Sequence, residues 1–367
     1  MPFPVPRRLP LALCVLAALA ALLGPLAAGS RAEAPAAPMA KGLQDVRMAY
    51  SDDPELRAAF WRAVAQAKVT VVRSLVVWNP SEGDAIAPRY VTAVRRAAIE
   101  GEAVGARLLV GIYSPINRKR GTPIRITDAL IRRYGRFATS VAEAFADLPI
   151  AGYLTWNEPN FRSMWPLDQA RRWVTLSNAG YAAFKKADPG VPVLVGEFAP
   201  NARTSNAMNP GLFLRKALCV DSRFRSLRAT RSCRTRLRAD GITLHTHDFQ
   251  KPPTQTRANR DAWTMGNLRS ALSQLRSLAA AKRISRTASR NVHITEFAYR
   301  TAGSSRTPIA RAAQYLDQAW RFARREGIRS FTWYQLRDPG AGNEWQSGLQ
   351  THAGLSRATW RTFLGLR

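Results

Sequence analysis

The chain has 367 residues, 46% of them hydrophobic and 9% aromatic, with ten tryptophans and a formal net charge of +30. That length and apolar content exclude a disordered chain and suit one large α/β barrel or two medium domains. The charge comes from 47 arginines and only eight lysines dispersed along the sequence, so it reads first as a solvated basic surface, with a polyanion-binding face for an acidic glycan, a cell wall or nucleic acid as the alternative; no RNP, zinc-finger or helix-turn-helix pattern argues for nucleic acid.

The first residues form a basic start, MPFPVPRR, an apolar run, LPLALCVLAALAALLGPLAA, and a small-residue exit. This is the pattern of a secretory signal peptide, residues 1–34, with cleavage near 28–34. Gly24 and Pro25 near the end of the run favour cleavage over the alternative, a membrane anchor. The expectation is a secreted monomer without stable membrane insertion, its mature domain spanning 35–367. Export leaves Cys219 and Cys233 as an even pair, which an oxidising compartment commonly joins as a disulfide. The four histidines, at 245, 247, 293 and 352, lack the spacing of a zinc site. No metal or organic cofactor is expected.

Past residue 40, short β-branched runs alternate with amphipathic segments. The runs at 43–50, 69–78, 107–113, 150–156, 191–198, 240–247, 291–297 and 328–334 read as eight strands. Between them lie PELRAAFWRAVAQA, ALIRRYGRFATSVAEAFADL, DQARRWVTLSNAGYAAFKKA, NLRSALSQLRSLAAAK and RAAQYLDQAWRFARRE, each with apolar residues recurring at three and four. Strict alternation implies parallel strands joined by crossover helices, and eight such units imply a (β/α)8 TIM barrel, an α/β fold, as a single domain. A doubly wound sheet is the rival, but neither a Gly-x-Gly-x-x-Gly loop nor a P-loop is found.

Barrel enzymes carry their chemistry at the C-terminal ends of the strands. Those ends supply Arg73 with Trp78 beyond it, Tyr113, Asn157 beside Glu158, Glu197, His245 and His247, Glu296, and Trp333 beside Tyr334. Arg73, inside an apolar strand, requires a carboxylate partner. Glu197 reads as an ion-pair partner for one of the many arginines, and the two histidines of His245-x-His247 share one strand face. Three glutamates at strand ends, among only 25 acidic residues, suggest the paired carboxyl groups that retaining glycoside cleavage uses.

The motifs TWNEPNF, 155 to 161, and ITEFAY, 294 to 299, resemble the strand-four and strand-seven signatures of clan A retaining glycoside hydrolases, the family 39-like and family 5-like TIM barrels. The resemblance covers essentially the whole chain after residue 40. It implies Glu158 as general acid/base, Asn157 as its neighbour binding the sugar 2-OH, and Glu296 as nucleophile. It further implies Arg73 and His245 as supporting residues and Trp333 as the platform under the sugar. Strand six of these families reads His-x-Tyr, whereas this chain has His245-Thr246-His247, so His247 stands where a tyrosine would touch the nucleophile. Family 39 xylosidases carry a β-sandwich after the barrel, and this chain stops soon after strand eight; a compact family 5-like architecture fits equally.

The resulting expectation is a secreted retaining O-glycoside hydrolase acting on a β-linked oligo- or polysaccharide, with an acidic substrate hinted at by the arginines. Tyr113 and Trp78 complete the expected substrate contacts. The competing expectation is a noncatalytic carbohydrate or cell-wall polyanion-binding protein on a degenerate TIM barrel.

Overall fold

The computed structural model describes residues 38–114, 124–202, 204–227, 233, 235–249, 251–303, 305–340, 342, 343 and 345–367. The expected signal peptide lies outside the described residues. Residues 38–367 form one compact unit. In chain order its elements are β1 (Ala40–Gln44), α1 (Val46–Ala49), α2 (Pro54–Gln66), β2 (Val71–Val77), α3 (Pro88–Glu102), β3 (Arg107–Tyr113), α4 (Asp128–Phe145), β4 (Ile150–Leu154) and α5 (Ala170–Ala187). There follow β5 (Val193–Phe198), α6 (Pro210–Leu218), β6 (Gly241–His245), α7 (Leu268–Ala280), α8 (Arg286–Arg290), β7 (Val292–Phe297), α9 (Ile309–Arg325), β8 (Ser330–Tyr334) and α10 (Ala358–Gly365). The strands close into a barrel in the order β1 to β8, with β1 paired to β8, and every pairing is parallel. The (β/α)8 expectation therefore holds.

Helix starts follow local chemistry. Asp53 Oδ1 accepts from the Glu55 N–H at 2.9 Å just before Pro54, and Thr127 Oγ1 accepts from the Leu130 N–H at 3.2 Å. Both satisfy amides that an open helix end leaves without partners.

The first strand differs from expectation: it runs 40–44 rather than 43–50, and 46–49 turn helically. Lys41 and Gly42 disguise it in sequence. The Lys41 ammonium is buried, donating to the carbonyls of Ala67 at 3.0 Å and Phe363 at 3.1 Å, so a strand position facing the helices accepts a cation because helix-end carbonyls meet it. Burial pushes its pKa down to about 8.

Strand periodicity sorts the side chains. Leu109, Leu154 and Leu194, with Val71, fill the lumen; the residues between them face the helices in the main core. Two interruptions matter. The register of β5 on β6 shifts between Val195 and Phe198, and that of β7 on β8 shifts between Ile294 and Phe297. A bulge supplies an extra residue and resets the phase, so Phe198 and Phe297 pack outward with the core while Glu197 and Glu296 turn inward. Gly196 makes the first bulge feasible: its φ is +140°, and a Cβ there would lie 2.4 Å from the Thr243 carbonyl oxygen.

Cys219 and Cys233 form a disulfide, their Cα atoms 5.4 Å apart across 14 residues of sequence. No helix among the described residues is long and apolar enough to cross a membrane.

Candidate active site

Arg73 is the hub of the barrel mouth. Its side chain, 0% exposed, ion-pairs with Glu197, 1% exposed, and its Nε donates to Glu197 Oε2 at 2.8 Å. Nη1 donates to Glu296 Oε1 at 2.6 Å and also to Gln44 Oε1, and Nη2 donates to Asn157 Oδ1 at 2.8 Å. One guanidinium fork on β2 thus fixes groups from β1, β5, β7 and the turn after β4. A planar, permanently charged donor suits this work.

His245 is the second hub. Its Nδ1 lies 3.0 Å from Glu158 Oε1 and 3.6 Å from Glu296 Oε2, and its Nε2 lies 3.6 Å from Glu197 Oε2. Burial alone would lower the imidazole pKa, but Glu296, Glu158 and Glu197 together push it up to about 10, so the ring is an imidazolium at neutral pH. Burial likewise works against ionising Glu296, yet His245 and then Arg73 outweigh it and hold this carboxyl well below the carboxylate range. Glu197 is also held low, with burial opposed by Arg73 and His245. Glu197 and Glu296 with Arg73 and His245 therefore form one desolvated cluster in which each charge depends on its neighbours.

Glu158 sits in the turn after β4 with φ of 45°, and its N–H donates to the Glu197 carbonyl at 3.0 Å. Asn160, fully buried, holds that turn: its Nδ2 donates to the carbonyls of Ala199 and Met208 at 2.8 and 2.7 Å, and its Oδ1 accepts from the Ala199 N–H at 2.8 Å. The side chains of Glu158 and Glu296 are 22% and 13% exposed, enough for a ligand to touch them. His247 lies on the same lumen face as His245, its Nε2 3.5 Å from Glu296 Oε2. Tyr113 ends β3 on the face shared with Leu109, at the mouth.

Two expected contacts fall elsewhere. Trp78 is 0% exposed and packs edge-on against Tyr134 and Trp156, with ring centroids 5.3 and 6.3 Å away; it lies an odd number of residues from Arg73 and so falls on the helix-facing side of β2. Trp333 is 1% exposed, donates from Nε1 to the Ser347 carbonyl at 3.0 Å, and packs against Phe297 outside the barrel. The neighbouring Tyr334 takes the lumen face, where burial first and the Glu296 charge second raise its phenol pKa. Gln44 is a site residue that sequence reasoning left out; Tyr334 was named at its strand end without a role, and Glu197 has the arginine partner that the sequence suggested.

His245, His247 and Glu296 each offer one donor atom within 4.8 Å of the others, a donor set a transition metal accepts. His245 is already committed to three carboxylates, and its positive charge opposes such binding.

No protein-family model and no curated protein matches the sequence. Among solved structures, the chain is similar to a family 39 glycoside hydrolase from the gut symbiont Bacteroides cellulosilyticus WH2, with TM-score 0.63 and 15% identity over 90% of this chain and 63% of that one. It is similar to an exo-β-1,4-mannosidase from Opitutaceae bacterium strain TAV5, with TM-score 0.58 and 15% identity over 90% of this chain and 59% of that one. A family 1 β-glucosidase from Thermotoga maritima gives TM-score 0.58 and 10% identity over 89% of this chain and 96% of that one. This chain therefore spans about 60% of the length of the first two. At these identities the likeness is one of fold: an eight-stranded parallel barrel like those of these glycoside hydrolases.

Proposed function

We propose that this chain is a retaining glycosidase that hydrolyses a β-linked glycan and acts after export. The observation that carries this reading is the shared contact of His245 Nδ1 with Glu158 and Glu296, at 3.0 and 3.6 Å. Two partly exposed carboxyl groups on one nitrogen suit a double displacement, which uses carboxyl groups about 5–5.5 Å apart. In the first step a Glu296 oxygen bonds to the anomeric carbon, the bond from that carbon to the leaving oxygen breaks, and the leaving oxygen takes the proton of Glu158. In the second, water attacks the anomeric carbon, gives its proton to Glu158, and the bond to Glu296 breaks.

Each neighbour has a part in this scheme. Arg73 and the imidazolium of His245 keep Glu296 ionised and aimed. Asn157, its oxygen already held by Arg73, turns its amide N–H groups to a sugar hydroxyl. Tyr113 and Tyr334 border the sugar. The substrate is a β-linked oligo- or polysaccharide or smaller glycoside.

Trapping tests this directly. Incubation with 2-deoxy-2-fluoro β-glycosides should leave one sugar on the peptide that carries Glu296, and NMR of the wild-type reaction should show the β-anomer first. An α-anomer as first product, or a sugar attached elsewhere, would overturn the assignment.

A further inference from the structure

A pocket of about 380 Å³ adjoins the carboxylate cluster, with Glu158 and His247 on its wall and Glu296 outside its lining. Phe161, Met164, Phe249 and Trp345 also line it, and Ser163, Asn201, Thr204 and Arg300 contribute polar groups. The aromatic wall is braced on several sides. The Phe249 and Trp345 rings meet edge-on at 5.1 Å, His247 stacks on Phe249 at 5.4 Å, and Trp345 touches Tyr334 at 5.7 Å. The Arg300 guanidinium lies 4.5 Å over the Phe249 ring. A wall held this way presents a preformed apolar surface, and its occupant loses little in ordering it.

The pocket's position gives it a role, on the reading of Glu158 as acid. The group attached to the oxygen that Glu158 protonates must extend on the Glu158 side, so the pocket receives the leaving group. A second sugar could lay its C–H face on the aromatic wall, but the hydroxyls around its ring would each need a hydrogen-bond partner. A flat apolar ring would be covered on that side and keep one polar edge toward Ser163, Asn201 or Thr204. We infer that the leaving-group site is built for an aromatic alcohol or phenol, and that the preferred substrates are small glycosides carrying such a group rather than a continuous polysaccharide.

Leaving groups of closely similar acidity separate recognition from chemical activation. The 2-phenylethyl and ethyl β-D-glucosides, and the corresponding mannosides, differ in the ring rather than in the reactivity of the bond. For whichever sugar is cleaved, kcat/KM should be at least tenfold higher for the phenylethyl compound and higher than for the β-1,4-linked disaccharide of that sugar. Phe249→Ala and Phe161→Ala should each bring the phenylethyl-to-ethyl ratio toward one, whatever they do to the absolute rates. A ratio of one or less in the wild type, or a disaccharide preferred to the phenylethyl glycoside, would overturn the inference and leave the glycosidase reading intact.

Binding supplies the other arm. 2-Phenylethanol should bind the wild type in saturation-transfer NMR, and the signal should fall in Phe249→Ala protein whose melting temperature is preserved. Binding without cleavage of any glycoside would uphold the pocket and refute the glycosidase. Absence of binding to the wild type would refute the pocket.

Discussion

Arg73 and Glu197 are an ion pair sealed inside the barrel, 0% and 1% exposed, between strands that are not neighbours in the sheet. Neither charge can be hydrated if the other is lost. Removing one member of a buried pair typically costs about 3–5 kcal/mol, so we expect Glu197→Gln to lower stability by about 3 kcal/mol in urea denaturation. A loss under about 1 kcal/mol would mean that Glu296, already bonded to Arg73, pairs its charge alone.

The two candidate reacting carboxylates should separate by leaving-group dependence. Glu296→Gln removes the bond-forming oxygen and should reduce kcat/KM on the order of 10³-fold or more on every glycoside. Glu158→Gln removes a proton donor, a loss of about 10²–10⁴-fold, and should spare the first step for acidic nitrophenols, which need no proton. Equal losses across a series of leaving groups for both variants would contradict the division of roles.

The His245 pKa, raised from 6.5 to about 10, has a thermodynamic consequence with a definite sign. The native state holds this proton more tightly than the unfolded chain does, so the stabilisation is complete below pH 6.5 and is lost as pH climbs through about 10. Melting temperature should therefore fall across that window, and His245→Asn should flatten the fall. The opposite slope, or one unaltered by the substitution, would remove the imidazolium from the account.

His247 approaches Glu296 from the pocket side at 3.5 Å. Its loss in His247→Phe should reduce kcat by about 10- to 100-fold, the range for a hydrogen bond to a charged group, and leave the fluoroglycoside adduct on Glu296. His247→Tyr should recover part of the rate, since a hydroxyl can serve the same oxygen. A His247→Phe enzyme with unchanged kcat would reduce this residue to a wall of the pocket.

The Cys219–Cys233 bridge closes a loop of 14 residues, worth about 3 kcal/mol by chain entropy. The Cys219→Ser/Cys233→Ser double variant should unfold at lower denaturant concentration by that amount. A smaller effect would show that the loop is held by its other contacts.

Much of the fold was legible because eight parallel strands between amphipathic helices leave few alternatives. β3 could be read to the residue, from Arg107 to Tyr113. The grouping of side chains at the barrel mouth was legible where charge made burial costly, as at Arg73, Glu158 and Glu296. Strand periodicity would have excluded Trp78, an odd number of residues from Arg73, and would have chosen between Trp333 and Tyr334 once Thr332 was assigned to the lumen. Glu197 was harder. Alternation from Leu194 sends it outward, and only a bulge, created by register with a strand distant in sequence, turns it in. Lys41 hid β1 for a related reason, since the carbonyls that satisfy it belong to α2's end and α10.

The glycine before Glu197 gives the site an unusual dependency. Anyone transplanting this carboxylate cluster into another barrel would naturally copy the acids, the arginine and the histidine. The graft would fail at a residue with no chemistry of its own: a methyl group at position 196 collides with the Thr243 backbone, the strand keeps its simple alternation, and the acid arrives on the wrong side of the wall. The information that aims Glu197 is stored in a missing carbon atom.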